Sequence, residues 1–166
     1  VSPMTKRITI STLDAMKASG DKFVMITAYD ATFARLASEA GAETILVGDS
    51  LGMVLQGHET TIPVSLDAMV YHTECVARAK PRSLIVADLP FMSFSNSDDA
   101  LHASTQLMQA GAQMVKLEGG TWLSDSINRL VERGVPVCAH LGLTPQSVNV
   151  FGGYRVQGRT PKEAKS

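Results

Sequence analysis

Four short apolar runs in this chain close on side chains that can carry charge or move a proton. Ile45-Leu46-Val47-Gly48 leads to Asp49-Ser50, and Leu84-Ile85-Val86-Ala87 leads to Asp88. Met114-Val115-Lys116-Leu117 ends on Glu118, and Val135-Pro136-Val137-Cys138-Ala139 ends on His140. Apolar runs this short, bounded by turn residues, read as buried strands. Residues two apart on a strand share a face. Met114, Lys116 and Glu118 therefore point one way, while Val86 goes with Asp88, Val47 with Asp49 and Cys138 with His140. If those faces converge, three carboxylates, one ammonium and one imidazole meet at one end of a sheet. Three acids held together do not all stay ionised without a counter-charge. A divalent cation is the natural one, and oxygen donors without a Cys or His pair favour Mg²⁺ over zinc. Lys116 can neutralise an acid or hold a substrate carboxylate, so it is expected to matter for substrate more than for fold. His140 can orient a substrate oxygen or act as an acid or base. At any one position the plainer reading is a helix cap or an ion pair. Repetition on four successive strands favours a site.

The elements that must position these residues alternate along the chain. A short helix over 13–18, capped by Ser11 or Thr12 and ended by Gly20, precedes a first strand over 23–27 that closes at Ala28-Tyr29-Asp30. A helix over 31–40 follows, with Gly41 as its stop. Leu51 to Val64 is long for a βα connection and holds Gly52, Gly57 and Pro63, which suggests a lid or binding loop. Ser65 caps a helix to about Ala79, stopped by Pro81. Helices are expected over 98–110, capped from Ser95 or Ser97, and over 122–133, stopped by Gly134. A Gly-rich loop from Gln146 to Arg159 comes last. Strands apolar on both faces belong in a parallel sheet covered by helices, and five βα alternations give either a barrel or a doubly wound fold. No GxGxxG follows the first strand and no GxxxxGK[ST] occurs, so the nucleotide-binding versions are disfavoured. The expected fold is an α/β barrel of the TIM type, with its site at the carboxyl ends of the strands.

Composition excludes several functions. The 166 residues are the size of one domain. A net charge of −1 offers no basic field for nucleic acid or a membrane surface. No apolar stretch approaches the roughly 18 residues of a membrane span, and residues 1–10 lack the apolar core of a targeting peptide. Cys75 and Cys138 are the only cysteines. They lack metal spacing and read as buried thiols, which fits a reducing, cytoplasmic compartment. His58, His72 and His102 have no ligand spacing. Met53, Met69, Met92, Met108 and Met114 read as core filler, and Trp122 as packing at a barrel rim. Ser50 has no His–Asp partner for nucleophilic work and is better suited to hydrogen-bonding a bound anion.

At these residues the chain resembles a known family. Leu46-Val47-Gly48-Asp49-Ser50-Leu51-Gly52-Met53, Gln56-Gly57-His58, Ala87-Asp88-Leu89-Pro90-Phe91-Met92, Val115-Lys116-Leu117-Glu118-Gly119-Gly120 and His140-Leu141-Gly142-Leu143-Thr144-Pro145-Gln146-Ser147 closely resemble the ketopantoate hydroxymethyltransferases. Phe151-Gly152-Gly153-Tyr154 and Val156-Gln157-Gly158-Arg159 continue the likeness. The resemblance implies a TIM (β/α)8 barrel of the phosphoenolpyruvate/pyruvate-binding type. It implies transfer of a hydroxymethyl group from methylenetetrahydrofolate to 3-methyl-2-oxobutanoate, giving 2-dehydropantoate for pantothenate biosynthesis, through an enolate stabilised by Mg²⁺. It further implies that Asp49, Asp88 and Glu118 hold Mg²⁺, that Asp49, Ser50, Asp88 and Lys116 bind the keto acid, and that Lys116 and His140 serve catalysis. A homo-oligomer is expected, with no nucleic-acid or membrane partner.

The resemblance also implies a general base, a Glu on a later strand, that has no counterpart within these residues. Only about the first five βα units are expected here. Thr160-Pro161-Lys162-Glu163 has the form of a helix start, so a single domain over 1–166, truncated at that helix, is expected. Two rival readings remain. A keto-acid lyase of the same barrel superfamily would need a nucleophilic Cys in a mobile loop, and neither Cys lies in a strand-end loop. A truncated, inactive paralogue would only assemble with other subunits.

Overall fold

The computed structural model describes residues 6–165. Residues 1–5, half of the segment read as lacking a targeting core, lie outside the described residues, as does Ser166. Helix α1 (Ile10–Ser19) begins earlier than expected, because Thr9 and Thr12 cap it reciprocally. The Thr9 hydroxyl accepts from the Thr12 N–H at 3.3 Å, and the Thr12 hydroxyl accepts from the Thr9 N–H at 3.2 Å. Strand β1 (Met25–Thr27) leads into α2 (Ala31–Glu39), whose cap Asp30 accepts from the Phe33 N–H at 2.8 Å. Strand β2 (Thr44–Val47) is followed by a single turn, α3 (Leu51–Val54), inside the stretch expected to be loop. Helix α4 (Leu66–Arg78) starts at the Ser65 cap as expected. Strand β3 (Leu84–Asp88) precedes α5 (Ser97–Gln109), capped by Asn96 rather than by either neighbouring serine. Strand β4 (Met114–Glu118) passes through a 3₁₀ turn, Thr121–Leu123, into α6 (Ser124–Glu132). After β5 (Val137–His140) the expected Gly-rich loop contains a 3₁₀ turn, Pro145–Ser147, and the single turn α7 (Val148–Phe151). At Thr160 the expected cap forms: Glu163 accepts from the Thr160 N–H at 3.1 Å, and Thr160 accepts from the Glu163 N–H at 3.3 Å.

The five strands make one parallel sheet in the order β1-β2-β3-β4-β5, each beside its sequence neighbour. This is a partial barrel built from βα units. The helices cover one face, where Ile45, Val47, Ile85, Ala87, Val115 and Leu117 are fully buried. The other face packs Leu84, Val86, Leu46 and Met114 against Ile8, Ile10 and Leu13, so the segment leading into α1 closes its amino end. Pairing register lines up rows across this inner face: Leu46, Val86 and Met114; then Asp88, Lys116 and Cys138; then Glu118 and His140. The sheet edges stay open among the described residues. All three residues of β1 are exposed, as are the neighbouring Phe23 and Val24. No described helix is long and apolar enough to cross a membrane.

Candidate active site

The inner rows bring Asp88, Lys116, Glu118 and His140 to one end of the sheet, in the arrangement the strand alternation predicted. Asp49 arrives differently. Val47 lies on the helix-covered face, so Val47 and Asp49 do not share an inward face. The strand ends at Val47 and Gly48 takes the inward position. A Cβ there would meet the Ser50 hydroxyl at 3.1 Å and Asp88 Oδ2 at 3.4 Å. The chain turns at this point, and the Asp49 N–H donates to Asp88 Oδ2 at 3.1 Å.

All three carboxylates are buried: Asp49 is 4 % exposed, Asp88 5 % and Glu118 6 %. Each has its own protein partners. Lys116 Nζ lies 2.5 Å from Asp88 Oδ1. Glu118 Oε1 accepts from the Gln146 backbone N–H at 2.6 Å, and its Oε2 faces His140 Nδ1 at 3.3 Å. Asp49 Oδ2 accepts from the Gln146 side-chain amide at 2.8 Å, and the same amide donates to the Leu89 carbonyl at 2.9 Å. Ser50 shares a hydrogen bond of 2.9 Å with the Tyr29 hydroxyl. His72 Nδ1 reaches the Tyr29 carbonyl at 2.8 Å, so His72 tethers the end of β1.

Burial, then the charge of Asp88, pushes the Asp49 carboxyl up to about 7; Glu118 adds to the rise, against the Gln146 hydrogen bond and Lys116. Burial pulls Lys116 down, but the charge and hydrogen bond of Asp88, with Glu118 and Asp49, outweigh it and leave the ammonium above its ordinary range. Burial raises the Cys138 thiol, against the Lys116 charge. Both cysteines are only half-buried, not buried as expected, and a thiol raised in this way is not an activated nucleophile, which counts against such a role for Cys138.

Among the described residues, no three His, Cys, Asp or Glu side chains are arranged to hold a metal ion. In this arrangement the Gln146 amide holds one oxygen of Asp49 and the Lys116 ammonium one oxygen of Asp88. The donor chemistry nevertheless fits a hard cation. The donors are all oxygen and buried, and burial, followed by the charges of Asp88 and Glu118, raises Asp49 although Lys116 is present.

Sequence reasoning missed Gln146 and Tyr29 as members of this site. Gln146 lies in a turn past β5 and reaches Asp49, 97 residues away; no spacing rule links the two. Tyr29 follows the apolar run of the first strand, as Asp49 follows the second, and that position was its only signal. Two of the methionines expected in the core, Met53 and Met92, are exposed. Trp122 is exposed as well and stacks on Phe94 with ring centroids 6.0 Å apart. Both rings line a cleft of about 120 Å³, walled also by Phe91, Glu118 and Gln146.

A parallel βα sheet with acids, a lysine and a histidine gathered at its carboxyl end defines a class, the partial (β/α)8 barrel with a polar strand-end site. Solved structures agree on the fold. A 2,3-dimethylmalate lyase of the PEP mutase/isocitrate lyase superfamily superposes with a TM-score of 0.60 at 17% identity, over 86% of this chain and 54% of that one. A phosphonopyruvate hydrolase, solved with oxalate and Mg²⁺, gives 0.65 at 17% identity, over 92% and 65%. The chain belongs to the ketopantoate hydroxymethyltransferase family, whose model matches residues 7–166. It is 61% identical over 159 residues to a 3-methyl-2-oxobutanoate hydroxymethyltransferase of Marinobacter nauticus, covering 96% of this chain and 60% of that protein. It is 63% identical over 153 residues to one of Burkholderia vietnamiensis, covering 92% and 56%. The chain thus spans about 60% of the length of the curated relatives it matches.

Proposed function

We propose that the full-length protein transfers a hydroxymethyl group from methylenetetrahydrofolate to 3-methyl-2-oxobutanoate, a step of pantothenate biosynthesis in the cytoplasm. The observation that carries this reading is the meeting of Asp49, Asp88, Glu118 and Lys116 at one sheet end in a chain of this family. Asp49, Asp88 and Glu118 would hold Mg²⁺. When bound, the cation supplies positive charge to the keto-acid oxygens and stabilises the negative charge that develops as the neighbouring carbon loses its proton. Lys116 adds a fixed positive charge beside Asp88 and holds the substrate carboxylate. Ser50, kept in place by Tyr29, donates to the same substrate. His140, held near Glu118, orients a substrate oxygen. The base that takes the proton is a Glu outside residues 1–166. Copies of the chain assemble as a homo-oligomer.

Turnover of 3-methyl-2-oxobutanoate by the full-length protein tests this reading. Product formation should require both a divalent cation and methylenetetrahydrofolate. Cleavage of a keto acid without folate would overturn it in favour of a lyase.

A further inference from the structure

The geometry points to Gln146 as the positioning residue of the proposed cation site: its one side-chain amide and one backbone N–H hold the Asp49 and Glu118 carboxylates in place for the ion. This rests on the reading of those acids as cation ligands. Three observations support it. Gln146 is buried, 8 % exposed, although Gln is seldom buried without cause. Both hydrogens of its amide are used, one on Asp49 Oδ2 and one on the Leu89 carbonyl, so the amide cannot rotate without losing a bond. Its backbone N–H gives the shortest contact to Glu118, 2.6 Å, and is available only because the turn at Pro145–Ser147 aims it there. That turn is itself tied, since Thr144 Oγ1 donates to Ser147 Oγ at 2.9 Å and the Ser147 N–H donates to the Thr144 carbonyl at 2.9 Å. One residue on the loop after β5 therefore sets the orientation of a carboxylate just past β2 and one at the end of β4. Carboxylates that bind metals are generally held by such outer hydrogen bonds, and losing one typically weakens metal binding by about 10–100-fold.

The test uses Mn²⁺ in place of Mg²⁺ on the full-length protein, with free Mn²⁺ read from its electron paramagnetic resonance signal, so that no activity is needed. Gln146→Met keeps the side chain's length and removes both donors. It should raise the Mn²⁺ dissociation constant by about tenfold or more. Gln146→Asn keeps an amide that is too short to reach Asp49, and it should fall in the same direction; it serves if the Met variant does not fold. Thermal unfolding run without metal separates loss of fold from loss of positioning: a weakened site in a variant that melts cooperatively within a few degrees of wild type supports the inference. Unchanged or tighter Mn²⁺ binding in either folded variant overturns it, the tighter case meaning that the amide merely stands where the ion belongs. A wild-type protein that takes up no Mn²⁺ removes the cation reading itself, and this inference with it.

Discussion

At the scale of single residues, Lys116 and Asp88 form a largely buried ion pair. Its side chains are 15 % and 7 % exposed. Lys116→Ala would leave a buried carboxylate without its cation, and losing one member of a buried pair costs about 3–5 kcal/mol. Denaturant unfolding should therefore show a clear loss, beside the raised KM expected of a residue that holds substrate. Wild-type stability in this variant would mean that Lys116 serves the substrate alone. Asp88→Ala should abolish saturable Mg²⁺ uptake in calorimetry, since Asp88 touches Lys116 and the Asp49 backbone at once; unchanged affinity would remove Asp88 from the ligand set. Asp49 makes a pH prediction. Its carboxyl titrates at about 7 in the folded chain against an ordinary value of 3.8, through burial first and the charge of Asp88 second. Between those values the folded chain keeps a proton that the unfolded chain has released. Its contribution to metal-free stability therefore falls as pH rises from about 4 to about 7, and stays at its lower level above that. Thermal unfolding in chelator at pH 5 and pH 8 should show a smaller drop for Asp49→Asn than for wild type. An equal or larger drop in the variant would contradict the assignment.

At the scale of elements, the strand-end acids were legible because strand parity and run length are local. Asp88, Lys116, Glu118 and His140 fall on the rows that alternation predicted. The pairing of Val47 with Asp49 failed because parity holds only while the strand lasts, and β2 stops at Val47. Helix starts were legible where one capping residue stood alone, as at Ser65. At Ser95-Asn96-Ser97 three capping residues compete, and only the packed position of α5 selects Asn96. Gln146 and Tyr29 were illegible as site members, because their reach depends on where distant elements dock. A glycine that separates two helices gives a test at this scale. At Gly111, φ is +118°, and an added Cβ would stand 2.4 Å from the Ala77 Cβ on α4. At Gly41, φ is +96°, with nothing within 4 Å. Gly41→Ala should cost about 1 kcal/mol from backbone strain alone, and Gly111→Ala about 1–3 kcal/mol more from overpacking. Equal melting temperatures for the two variants would show that α4 yields freely at this contact.

At the scale of the whole molecule, the open edges dominate. β1 is exposed along its length, and Phe23, Val24, Met25 and Ile26 form an apolar strip at the sheet's border. Unpaired edges with apolar side chains invite pairing with other chains, and folding margins are only about 5–15 kcal/mol. Residues 1–166 expressed alone should associate, with light scattering during size-exclusion chromatography reading masses above one chain. A monomeric, cooperatively melting product would show that the five strands suffice. The hydrogen bond from Gln146 to Asp49 joins residues 97 apart, and this distance also orders events during synthesis. Asp49 leaves the ribosome long before the amide that receives it has been made. Until then its carboxylate has no hydrogen bond from Gln146 while β3, β4 and β5 are added to the sheet in turn. The site is sealed by the last of these arrivals, and a ribosome paused before Gln146 holds a nascent chain whose sheet can grow but whose Asp49 and Glu118 carboxylates still lack their Gln146 bonds.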